Sequence, residues 1–385
     1  MAIIQTLRRQ ATPTSIILVL VGLLGLAFDI RMVVQNSFRL GIDYNQFYAG
    51  SRLAGTGHLY DWNVLRKIVA ENGPEMPTAR LPIVLYGHKI LGGLPYRTAL
   101  AAWMAGSIAA LLVFAVIWPG IRRFLAVIAL ATSMSVGVVL LFGQDVAFYL
   151  MFFAAGLALM ERKRPWLAGL AFALCVSKFH LALGIPILLV AQKRWKTLFS
   201  GGIAVALLLA ASFLLEGRGW PRQYLNMVGM PEFTHGSERM PNLAGITCWL
   251  PWPALAEALC AIGVVGLLWW ICRRRADLGM AGAAAAACGV LTGHHSYGGD
   301  CTLMIPLAVL TLQRQDLPPW MKVWAMTIIS PLPMQLLVTD APWTGQLLIV
   351  GFVVAAIYSA GLHPPANPAV SPGPASSPLP DPAAG

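Results

Sequence analysis

Asp43 is the residue from which chemistry is most readily argued. It lies in the run Gly41-Ile42-Asp43-Tyr44-Asn45-Gln46-Phe47-Tyr48-Ala49-Gly50-Ser51-Arg52, which continues to Gly55, Gly57 and Tyr60-Asp61. In a helix, Asp43, Phe47 and Gly50 share one face at i, i+4 and i+7. A carboxylate flanked by Tyr44, Phe47 and Tyr48 suits a general base acting on a sugar hydroxyl, with the rings offering apolar faces for stacking. The same aspartate also suits a helix N-cap, and spacing alone leaves the two readings level.

Lys178 is the second such residue, in the polar break Ser177-Lys178-Phe179-His180 of an otherwise apolar stretch. A lysine at membrane depth costs about 2.5–3.5 kcal/mol on insertion scales, a cost that usually implies a functional partner. Gln144 can donate to and accept from sugar hydroxyls, or can simply end a helix. His294 and His295, near Asp300, invite a metal reading, but neighbours on one chain point different ways, so hydrogen-bonding roles are expected and no metal site. The six cysteines (175, 248, 260, 272, 288, 301) show no CxxC spacing and read as small buried hydrophobes.

The elements that hold these residues follow from composition. Hydrophobic residues make up 57% of 385 positions and charged residues 11%, about half the charged fraction of a soluble domain. The sequence predicts an all-α polytopic transmembrane bundle of about 10–12 membrane segments. The net charge of +11 does not indicate a nucleic-acid partner. Its basic residues sit in short clusters between apolar runs: Arg8-Arg9, Arg122-Arg123, Arg162-Lys163-Arg164, Lys193-Arg194-Trp195-Lys196 and Arg273-Arg274-Arg275. Such clusters mark the cytoplasmic side.

With every cluster inside, an uncleaved first span runs over about 15–33 and residues 36–97 form an outer loop. Spans follow at about 99–118, 124–142 and 146–160. Residues 166–191 are basic at both flanks and too short for two full crossings, which need about forty residues. A re-entrant pair of short helices turning at Ser177–His180 resolves this, and places Lys178 beside a wet cavity, where irregular backbone is tolerated. Further spans are expected at about 197–215, 253–271, 277–292, 301–313, 320–338 and 344–360, with a second outer loop at 216–250. Residues 1–360 read as one transmembrane domain, and 361–385 as a disordered Pro/Ala-rich tail. The polar residues outside the basic clusters gather on the outer side.

The run Asp43-Tyr44-x-x-Phe47-Tyr48-x-Gly50, with Gly55 and Tyr60-Asp61, resembles the signature of glycosyltransferase family 87, polyprenyl-phosphate-mannose-type transferases of the GT-C superfamily. Leu141-Phe142-Gly143-Gln144, Ala168-Gly169-Leu170 through Ser177-Lys178, and Asn242-Leu243-Ala244-Gly245 resemble later elements of that family, in order. Two segments depart from the pattern: Arg80-Leu81-Pro82, and Thr292 through Tyr297 to Asp300. The resemblance implies a GT-C type bundle and a hexosyltransferase, with mannose as the expected sugar, that needs no cofactor. It implies a polyprenyl-phosphate sugar donor, a lipid or glycan acceptor, and surrounding membrane lipids. Asp43 would be the base and transfer would invert the anomeric centre. Lys178 would stabilise the leaving phosphate, with Arg80, Arg52, His294, His295, Tyr297 and Asp300 as further substrate contacts. A bacterial inner-membrane protein with its site facing outward is expected. The rival readings are a lipid-linked sugar transporter or flippase, which should often show repeated halves and charges spread through the spans, and a non-catalytic partner subunit.

Overall fold

The computed structural model describes residues 40–362 except 79, 231–235, 275 and 276, together with five helical positions between 27 and 35. Apart from those five positions, the expected first span lies outside the described residues, as does the expected tail beyond residues 361 and 362, which instead close the helix Pro342–Leu362. Among the described residues every regular element is a helix. Four are long and apolar enough to cross a membrane: Tyr96–Ile117, Trp195–Glu216, Pro253–Arg274 and Pro342–Leu362. Arg123–Thr132 and Met134–Phe142, bent by 66°, make a fifth if they are one span. Trp195–Glu216 hides only 11% of its apolar window in protein, and Leu207 and Leu214 point outward. Such a face belongs in lipid. The protein is a multi-pass, all-α membrane bundle.

Several expected spans are shorter than a full crossing. Val146–Glu161 has 16 residues and Leu278–Thr292 has 15. The expected 301–313 span opens as the 3-10 turn Gly298–Met304 before the helix Ile305–Gln313. The expected 320–338 span is two helices, Pro319–Ile329 and Leu332–Leu337, because Pro331 between them has no N–H to continue the ladder. The shorter helices are inside the bundle: Leu278 through Leu291 are all buried.

The apolar residues form two cores. The larger fills the bundle around Phe114, Trp118, Tyr149, Phe153, Leu268 and Phe352. The smaller belongs to the 36–97 loop, which folds into a cap of short helices at Ile42–Leu53, Trp62–Ala70, Pro82–Gly87 and Lys89–Gly92. Asn45 Nδ2 ties two of these together through the Val69 carbonyl, at 2.7 Å. Lys89 Nζ holds the Ala54 carbonyl at 2.9 Å. Glu216, at the end of a long span, accepts the Gly55 N–H and fastens the cap to the bundle. Phe148 packs against both cores, which marks the junction between them.

The basic turns gather at one end. Val146–Glu161 and Gly184–Ala191 stop in the same way. Arg164 N–H reaches the Leu159 carbonyl at 2.8 Å and Lys163 N–H the Met160 carbonyl at 3.1 Å; Arg194 and Lys193 repeat this on Leu189 and Val190. This is the Schellman stop, with lysine at φ 56° where glycine is usual. A positive charge there also suits the negative end of the helix. Both turns line one pocket of about 300 Å³ with Asp277, and Trp118 Nε1 donates to the Gly279 carbonyl nearby, which brings the Arg122 turn to the same end.

Residues 165–191 leave this end and come back to it. Pro165–Ala173 rises into a 3-10 stretch, Leu174–Leu181, broken at Lys178 (φ −128°, ψ 61°), and Gly184–Ala191 descends. The segment is therefore re-entrant. Small residues seat it: a Cβ on Gly184 would stand 2.1 Å from the Ala285 carbonyl oxygen, and one on Gly289 2.1 Å from that of Leu181. Close approach of this kind is how helices associate in lipid, where no hydrophobic force drives them together.

Candidate active site

Three backbone features deliver Asp43. Gly41, at φ 75°, turns the chain into the Ile42–Leu53 helix; its N–H donates to the Leu141 carbonyl at 2.8 Å, and its carbonyl accepts from Tyr96 Oη at 3.1 Å. Asp43 is then in the first helical turn, where a carboxylate is favoured by the helix dipole. The N-cap position belongs to Gly41, so Asp43 is not the cap. Its Oδ2 instead accepts from Gln144 Nε2 at 2.6 Å.

Gln144 and Asp145 come from a tight turn between helices. Gly143 makes it, at φ 73°, and a Cβ there would lie 2.6 Å from Tyr44 Cβ. Trp103 Nε1 fixes the Gly143 carbonyl at 2.9 Å. Only glycine satisfies both the left-handed backbone and the close approach.

From Asp145 a chain of alternating charges extends. Arg80 donates to it twice, Nε to Oδ2 at 2.9 Å and Nη2 to Oδ1 at 3.1 Å. The guanidinium also lies over the Phe47 ring, 4.9 Å from its centroid. Lys178 Nζ stands 3.5 Å from Asp145 Oδ1 and 2.7 Å from Asp300 Oδ1. Asp300 Oδ2 accepts the Tyr297 N–H at 2.8 Å, closing a capping box on the Gly298–Met304 turn. Two cations and two carboxylates thus balance, and Asp43 adds a fifth group.

The titration of the groups outside the spans follows from this layout. Asp43 is partly buried, and protein encloses most of its surroundings. Burial pushes its carboxyl above the ordinary value, outweighing the Gln144 hydrogen bond and the Lys178 and Arg80 charges, which pull it down; Asp145 pushes it further up. For Asp145 burial also acts upward, but Arg80 and Lys178 prevail and hold it at about 2. Burial drives the His88 imidazole down to about 4, leaving it neutral. Its ring rests 4.7 Å from that of Trp103. Burial thus raises one carboxyl, while the neighbouring cations lower the other.

Not every residue singled out in the sequence joins this group. Tyr44, Phe47 and Tyr48 are 1%, 2% and 6% exposed, and their faces are taken up by Tyr96, Trp103, His88 and one another in the cap core. Arg52 is on the cap's outer edge, 3.5 Å from Glu71. His294 is exposed, 3.3 Å from Glu257, with the His295 ring 4.9 Å away. Tyr297 stands close enough to feel the Asp43 charge. Among the described residues no three His, Cys, Asp or Glu side chains are grouped to hold a metal ion. Asn242 caps the helix Leu243–Thr247 and binds the Gly293 carbonyl at 2.6 Å, a tie between elements.

Asp145, the centre of the charge chain, reads in the sequence only as one of the polar residues of the outer side, beside Gln144, with no role of its own. Gly299 falls within the departing 292–300 segment without being singled out, and Trp103 and His88 carry no signal.

The family model of glycosyltransferase family 87 matches residues 82–294, more than half of the chain. The chain belongs to glycosyltransferase family 87. The match takes in Gln144, Asp145 and Lys178 and begins after Asp43 and Arg80. No curated protein and no solved structure matches the chain. Membership in family 87 makes the bundle a membrane glycosyltransferase, one that moves a sugar from a donor to an acceptor.

Proposed function

We propose that the protein transfers a hexose, such as mannose, from a polyprenyl-phosphate donor to a lipid or glycan hydroxyl on the outer face of the bacterial inner membrane. One observation carries the reading: the Asp43 carboxylate, held by Gln144, stands at the cap end of the bundle within the field of two cations, Arg80 and Lys178, that Asp145 anchors. The acceptor hydroxyl gives its proton to Asp43 as its oxygen attacks the anomeric carbon. The bond from that carbon to the phosphate oxygen breaks, and its electron pair stays with the phosphate. A phosphodiester thereby becomes a phosphomonoester with one more negative charge. Fixed cations aimed at a developing charge are the usual means of stabilising it, and Lys178 and Arg80 fill that role. Attack from the face opposite the leaving group inverts the centre.

Residues 1–360 act as one unit in this scheme, with the outer loops 36–97 and 216–250 shaping the acceptor side. The basic turns lie at the other end of the 16-residue Val146–Glu161 helix, about 24 Å away at 1.5 Å per residue. With those turns on the cytoplasmic side, the site opens to the periplasm.

The test is sugar release from radiolabelled polyprenyl-phosphate-mannose by the purified protein, with native membrane lipids as acceptors, for wild type and Asp43→Asn. Turnover in wild type that drops at least about a hundredfold in the variant is expected, the range of general-base contributions. Turnover that survives the substitution removes Asp43 as the base. Release from another polyprenyl-phosphate hexose alone changes the sugar and leaves the reaction.

A further inference from the structure

The reaction places two opposed demands on one site. The base must hold a proton, and neighbouring positive charge works against that. The departing phosphate needs positive charge close by. Arg80 and Lys178 both act on Asp43 across space, so the cations that suit the second demand weaken the first.

We infer that Asp145 is the positioning residue that reconciles the two, anchoring Arg80 and Lys178 beside Asp43 while offsetting their charge so that Asp43 stays able to take a proton. The inference rests on the reading of Asp43 as the base. The geometry carries it: Asp145 is 4% exposed, grips Arg80 through both oxygens and stands 3.5 Å from Lys178 Nζ. Its neighbour in sequence, Gln144, holds Asp43 itself. One turn, Phe142 to Val146, thus fixes the base with one side chain and the two cations with the next. A bidentate carboxylate sets a guanidinium in direction as well as charge.

The charged and titratable groups around Asp43 come from every element packed there. The cap gives Arg80, with His88 behind it; the 143–145 turn gives Asp145; the re-entrant segment gives Lys178; the Gly298–Met304 turn gives Asp300, with Tyr297 before it. Asp145 is within ion-pair reach of both Arg80 and Lys178, whereas Asp300 bonds Lys178 and acts on Arg80 across space. Asp145 in turn keeps its own charge, because its carboxyl titrates at about 2.

The sign of the effect follows. With Asp145 neutralised, the pull of Arg80 and Lys178 on Asp43 is less offset, with Asp300 the remaining counter-charge, and its protonation midpoint falls. With Arg80 neutralised, the midpoint rises. Infrared titration of the carboxyl stretch in the full-length protein in nanodiscs reads this without a substrate, and Asp43→Asn identifies the band. Asp145→Asn is expected to move the Asp43 midpoint downward, whereas Asp145→Glu leaves it near wild type. Removing one member of a buried ion pair leaves its partner's charge uncompensated, so Asp145→Asn risks unfolding. The pair Arg80→Gln and Arg80→Gln/Asp145→Asn covers that case, and the double variant should titrate below the single one. Equal midpoints in that pair, or an unmoved or raised midpoint in Asp145→Asn, would overturn the inference. Failure of the base reading shows separately, as turnover persisting in Asp43→Asn while the midpoint shifts still appear.

Discussion

Asp43 and Gln144 form the contact on which a proton-transfer role depends most directly. Burial raises the Asp43 carboxyl, and a base acts only when deprotonated. Activity should therefore fall as pH drops through a value above the ordinary aspartate range, and a pH profile of kcat/KM reads the position of that acid limb. A limb at or below the free-carboxylate value would contradict the role. Gly299 offers a second probe: a Cβ there would stand 1.9 Å from Gln144 Oε1. The end of that side chain is flexible, so Gly299→Ala should fold and yet pull Nε2 away from Asp43. A hydrogen bond to a charged group is worth about 1.5–3 kcal/mol, roughly a tenfold to hundredfold drop in turnover with melting nearly unchanged. The aspartate was legible in the sequence because a lone carboxylate after an apolar run stands out. Its partners were not: Arg80 and Asp145 are 65 residues apart, and Lys178 and Asp300 are 122 apart. Spacing on one helix carries no information about such pairs. Tyr44, Phe47 and Tyr48 show the complementary blindness, because an aromatic run at helical spacing reads alike whether it packs inward or lines a site.

At the level of elements, charge placement and length point to the re-entrant segment, since with two basic flanks and too few residues for two crossings a hairpin of short helices is the simplest path. What seats it was less visible. Gly184 touches the Ala285 backbone of the fully buried Leu278–Thr292 helix, and a run of alanines reads in sequence as any helix former. Gly184→Ala puts a Cβ 2.1 Å from a carbonyl oxygen that cannot swing aside. Overpacking of this kind costs about 1–3 kcal/mol, and thermal unfolding in detergent should show the loss, together with weaker activity from a displaced Lys178. Unchanged stability would mean that the two helices separate freely there. The bend in the 123–142 span likewise escaped hydropathy, which averages over it. Ser133 leaves the helical region between the two halves, and Ser135 Oγ meets Thr302 Oγ1 at 3.2 Å. The second half is thereby aimed along the turn that carries Asp300.

The whole molecule has two chemically distinct ends, basic turns at one and the cap with its charge chain at the other. Hydropathy and basic clusters were enough to anticipate this polarity, although not the cap's separate core, which depends on contacts between Tyr44, Leu59, Trp103 and Trp220. In a background with Cys260 replaced, a cysteine at the exposed cap residue Arg66 should react with an impermeant thiol reagent added to spheroplasts. One at Lys163 should react only after permeabilisation. Labelling of both from the same side would remove the proposed orientation.

The tight seat of the re-entrant segment also bears on how the chain is made. Residues 165–191 emerge from the ribosome well before Leu278–Thr292, the helix whose carbonyls and small side chains receive them. Until that helix exists, Lys178 lacks Asp300 and the apex is covered on one side only, by Asp145 and the Val146–Glu161 helix, and a lipid interior tolerates such backbone only where protein or water shields it. On this geometry the stretch gains its last partners only once the final third of the polypeptide has been made.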